Sequence, residues 1–76
     1  MTITQLHKAV LVGLALGVTP EALMNAYEIE AYQWCEIIQD LRTAYKIEPY
    51  QTDYALIAQA FLCDDLTVKE GHISWR

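Results

Sequence analysis

Seventy-six residues make one small domain spanning 1–76, and with 54% of them apolar the chain is too hydrophobic to be disordered throughout. Ten carboxylates against five Lys and Arg give a formal charge of −5. The overall field therefore repels a polyanion such as nucleic acid and favours a basic or neutral protein partner.

The first predicted element is a helix. Thr2 and Gln5 have capping-box spacing, and Thr4 is a second candidate cap. Ile3, Leu6, Val10 and Leu14 share one helical face, with Ala9 and Gly13 beside them. Gly17 can end the helix in the left-handed conformation. Leu11 and Leu16 leave few polar positions in the second half, so the helix is expected to be buried on more than one side or to meet another chain. Gly13 would let a second helix approach closely, and His7, next to Lys8, is expected at the surface or helix edge. The apolar run over residues 9–18 is too short to span a membrane, and no small-residue cleavage site follows it. A cytoplasmic protein without membrane association is the expectation.

The central run, TPEALMNAYEIEAYQWCEIIQDLRTAY over residues 19–45, begins with a helix start: Thr19 to cap, Pro20 in the first position and Glu21 in the first turn. Leu23, Tyr27, Ala31, Trp34, Ile38, Leu41 and Tyr45 then recur at steps of three and four residues. Two readings fit. The run is one long amphipathic helix, or two helices broken near Glu28–Glu30. In the broken form it resembles the helix-turn-helix of small DNA-binding regulators. Thr19, Glu21 and Leu23 open the first helix, Tyr27 and Ile29 flank the turn, and Trp34 with Ile37 anchor the second. The chain departs from that family at Met24, where Ala is frequent, at Glu28, where Gly is frequent, and at Glu30, where Ser or Thr caps.

Pro49 marks the next boundary, and either Pro49 itself or Thr52/Asp53 opens another helix. Tyr50, Tyr54, Ile57 and Phe61 give its predicted face, and it should end around Cys63–Asp65. The period then changes to two. Leu66 and Val68 precede Lys69-Glu70-Gly71-His72, and Ile73 and Trp75 follow, which predicts a β-hairpin turning at Gly71. It is similar to the wing behind some helix-turn-helix domains, and it needs the helices or a second subunit to pack on. The fold class is thus mainly α: a compact three- or four-helix domain with a short C-terminal β-hairpin.

The resemblance implies a transcriptional regulator whose second helix, displaying Glu30, Ala31, Tyr32, Gln33 and Glu36, enters the major groove. Gln33 would read adenine, Tyr32 would touch a phosphate, and Arg42 and Lys46 would supply downstream backbone contacts. The charges point elsewhere, because Glu28, Glu30 and Glu36 surround that surface. The favoured expectation is a regulatory protein acting by protein–protein interaction. Its candidate contact residues are Tyr32, Glu28, Glu36, Asp40 and Trp75, with clustered carboxylates imitating a phosphate array so as to inhibit a nucleic-acid-handling protein. A homodimer is a further expectation, since it would cover apolar surface of the first helix and the hairpin.

Other chemistry finds little support. Tyr27, Trp34, Tyr45, Tyr50, Tyr54 and Phe61 are expected to fill the core, and Cys35 and Cys63 to be buried thiols. His7, Cys35, Cys63 and His72 have no zinc-ligand spacing, and the adjacent Asp64 and Asp65 diverge on a helix. With no phosphate loop and no dinucleotide motif, neither an enzyme nor a bound cofactor or metal is expected.

Overall fold

The computed structural model, which describes residues 3–76, divides the central run in two. The elements in order are α1 (Gln5–Ala15), α2 (Pro20–Ala26), α3 (Ala31–Ala44), α4 (Tyr54–Leu62), β1 (Leu66–Lys69) and β2 (His72–Trp75). The fold is therefore mainly α, four helices followed by a short antiparallel hairpin. Among the described residues no helix is long and apolar enough to cross a membrane.

The helix starts are set by side chains. Thr4 caps α1 and forms a reciprocal capping box with His7; the alternative cap, Thr2, lies outside the described residues. Thr19 caps α2, its hydroxyl accepting from the Ala22 amide at 3.2 Å. Glu30 is the N-cap of α3, and Asp53 precedes α4.

All four helices stop on the same device. A residue with positive φ follows the C-cap, and the next amide reaches back to a carbonyl of the last turn. Those residues are Gly17 (φ 87°), Glu28 (54°), Lys46 (55°) and Asp64 (61°). The closing bonds run from Val18 to Gly13, Ile29 to Met24, Ile47 to Arg42 and Asp65 to Ala60, at 2.8–3.0 Å. At Glu28 this reversal turns the chain so that Ile29 drops into the core, which one continuous helix would not allow.

Val10 and Leu11 of α1, Ile37 and Leu41 of α3, Leu56 and Ala60 of α4, Ile29 from the turn and Leu66 of β1 form the core. Gly13 has the role its sequence position suggests. A Cβ there would run into the end of the Leu23 side chain, so Leu23 of α2 packs directly on the bare backbone of α1. The hairpin pairs Leu66 with Trp75 and Val68 with Ile73. Its turn residues Glu70 and Gly71 both have positive φ, the combination that matches the strands' twist. β2 lies against α1 and β1 against α4.

Several expectations are corrected. His7 is buried, at 8% exposure, because its imidazole is hydrogen-bonded at both nitrogens. Leu6 accordingly sits at the exposed edge of α1 while Leu11 is fully enclosed. The buried face of α4 is Leu56 and Ala60, flanked by Ile57 and Phe61; Tyr50 and Tyr54 are exposed and Tyr27 is half-exposed. A phenol keeps its hydroxyl in water unless the interior offers a partner. Tyr45 has one, donating to Asp65 Oδ2 at 2.6 Å. Cys35 and Cys63 are free and exposed, since each lies on the outer side of its segment.

Candidate functional site

The first half of α3 is built to be seen from outside. Ile37 and Leu41 face the core, with Trp34 and Ile38 flanking them, which leaves Ala31, Tyr32, Gln33, Cys35 and Glu36 exposed. Tyr32, a large side chain 65% exposed, has no core role. Glu36 is one helical turn further along the same side. Glu28 and Glu30, both exposed, stand just before the helix, where negative charge also complements its dipole.

Of the residues expected to contact a protein, the structure thus places Glu28, Tyr32 and Glu36 at this exposed end. Asp40 continues the helix but is engaged within the molecule, its Oδ2 3.0 Å from His7 Nε2. Trp75 is elsewhere. It lies on β2, half-buried, with Lys8 Nζ 5.3 Å from its ring centre, a cation–π contact.

The residues expected to contact DNA are differently occupied. Gln33 Oε1 accepts the Glu30 amide at 2.9 Å. Adenine is read by a glutamine using its oxygen and its nitrogen together, so reading would require breaking this cap. Arg42 is an internal clip. Nη1 donates to Asp53 Oδ1 at 2.9 Å, and Nη2 donates to the Glu48 and Gln51 carbonyls at 2.8 and 2.7 Å. With its side chain only 16% exposed, that guanidinium holds the α3–α4 loop. Tyr32 and Lys46 remain outward.

Burial, and then the Asp65 hydrogen bond, push the Tyr45 phenol well above its ordinary range. This tyrosine is structural: it ties the end of α3 to the residue before β1. Among the described residues no three His, Cys, Asp or Glu side chains gather as a metal site.

Two concave surfaces were not evident in the sequence. One, of about 440 Å³, has Trp34 and Tyr54 in its walls. The other, of about 520 Å³, runs between α1, α2 and β2 and contains Lys8 and Trp75. In the sequence the second shows as the apolar excess of the first helix and the hairpin, with Ala9, Val12, Gly13 and Leu16 stepping along α1, a pattern that reads equally as core. Comparison with protein-family models, curated proteins and solved structures finds no match to this chain.

Proposed function

We propose that this chain is a small acidic regulatory protein that binds another protein through the first half of α3. The observation that carries the reading is the exposure of Tyr32 beside Glu36, with Glu28 and Glu30 at the helix start, while the cation on the same helix, Arg42, is committed to the next loop. A large amphipathic side chain among carboxylates suits a basic partner surface. A protein that handles nucleic acid offers such a surface, and occupying it would inhibit that protein. In this reading the chain is not an enzyme, acts in the cytoplasm and needs no cofactor.

A photo-crosslinking side chain at position 32 tests this in the native cell. The expected result is an adduct with a protein that disappears in Glu36→Lys. A salt-sensitive complex with duplex DNA, weakened by Gln33→Ala without loss of fold, would overturn it.

That DNA-binding outcome is the second reading. It draws on the turn at residues 28–30 between α2 and α3 and on the hairpin behind them. The acidic charge and the engagement of Gln33 and Arg42 weigh against it.

A further inference from the structure

The groove between α1, α2 and β2 is apolar, and its rim carries large side chains that the fold leaves uncovered: Leu16 is 55% exposed and Tyr27 48%. Ala9, Gly13, Ala22 and Ala26 make its walls shallow, so another backbone can come close. Among the described residues no carboxylate lines it, and its one charge is Lys8. That sets it apart from the rest of a chain whose ten acidic residues all lie at or beyond position 21.

We infer that this groove is a self-association surface whose occupant is a second copy of the chain, related by a two-fold axis. Two molecules of charge −5 repel one another, and a face without carboxylates is where that repulsion is least. The layout of the groove supplies complementarity as well. Its loop end holds Leu16 and Val18, and the exposed Glu21 stands just outside it, one residue before Ala22 of the wall; its other end holds Gln5, Lys8 and Trp75. A two-fold axis through the middle exchanges the ends. Lys8 of each copy then meets Glu21 of the other, and the exposed Leu16 of each enters the opposite groove. None of Glu28, Glu30, Tyr32 and Glu36 lines this groove.

Sedimentation and native mass measurements from micromolar to millimolar concentration provide the test. The expected mass rises from 8.7 kDa towards twice that value. Leu16→Glu keeps the protein monomeric while its thermal unfolding at low concentration is unchanged. Lys8→Glu weakens self-association about tenfold through the like charges it brings together, and adding Glu21→Lys to the same chain restores it. Tyr32→Ala leaves self-association intact, which separates this result from the fate of the α3 reading. A monomer at every concentration overturns the inference. So does a dimer indifferent to Leu16→Glu, or a Lys8→Glu defect that Glu21→Lys fails to repair.

Discussion

His7 and Asp40, thirty-three residues apart, join α1 to α3 through a 3.0 Å contact between Nε2 and Oδ2. The Thr4 amide and hydroxyl both meet His7 Nδ1, at 3.2 and 2.6 Å, and with Nδ1 accepting from the amide it is Nε2–H that donates to the carboxylate. One imidazole therefore closes the start of α1 and attaches that helix to the domain. Asp40 is 42% exposed, which limits the worth of the contact to about 1 kcal/mol. Asp40→Ala should lower unfolding stability by roughly that amount, and Asp40→Asn, which keeps an acceptor oxygen, by less than about half of it. His7→Ala should cost more, about 2 kcal/mol, because the Thr4 amide also loses its partner. Urea unfolding of the three variants orders them. An Asp40→Ala protein as stable as the parent would show that the contact is idle.

Arg42 offers a contrast between charge and geometry. Its three hydrogen bonds to Asp53, Glu48 and Gln51 use the planar fork of the guanidinium on three separate oxygens. Arg42→Ala should destabilise by about 2 kcal/mol, and Arg42→Lys should recover only part of that, since an ammonium cannot span the same acceptors. Thermal unfolding checks the order. It also guards against misreading a binding defect in an Arg42 variant, which would here reflect a loosened α3–α4 loop.

Tyr45 gives the protein an alkaline limit. Its folded pKa is raised by burial and by the hydrogen bond it donates to Asp65, relative to an unfolded phenol near about 10. Above that unfolded value the unfolded chain binds fewer protons at this group than the native one. Stability from Tyr45 is thus complete below pH about 10 and falls as pH rises beyond it. Tyr45→Phe should cost about 1 kcal/mol at neutral pH and flatten the alkaline decline. Unfolding measured across alkaline pH in both proteins reads the difference in slope.

These groups show what the sequence could and could not reveal. The helix starts at Thr4 and Thr19 and the hairpin turn at Glu70–Gly71 were legible, because each depends on a few adjacent residues. The break at Glu28 was open, since a non-glycine residue in the left-handed region carries no local signature. The faces of α1 and α4 lie one residue away from the period-based choice, at Leu11 and Leu56: α1 turns His7 inward to a partner thirty-three residues away, and α4 buries Leu56 and Ala60 and leaves the Tyr54 phenol in water. The exposed end of α3 was legible as a string of types, Glu28, Tyr32 and Glu36. The withdrawal of Asp40, Gln33 and Arg42 into internal bonds was not, for the partners of Asp40 and Arg42 lie on other elements and that of Gln33 is a backbone amide.

Glu28 is where stability and the proposed function diverge. It holds φ at 54°, a conformation that costs a residue with a Cβ about 1 kcal/mol and costs glycine little. Its amino-acid type is thus the opposite of what the turn alone would select. Glu28→Gly should raise stability by about 1 kcal/mol while leaving α2, α3 and the Ile29 bond to Met24 in place. If the carboxylate serves the α3 surface, the same variant should bind its partner more weakly despite being more stable. Lys46→Gly is the control: the same left-handed position at the other end of α3, the same expected gain, and no loss at the Tyr32 surface. Unfolding and crosslinking from position 32, measured on both variants, separate the two effects. Equal crosslinking by Glu28→Gly and Lys46→Gly would remove Glu28 from the contact surface and leave its strained backbone without a function to explain it.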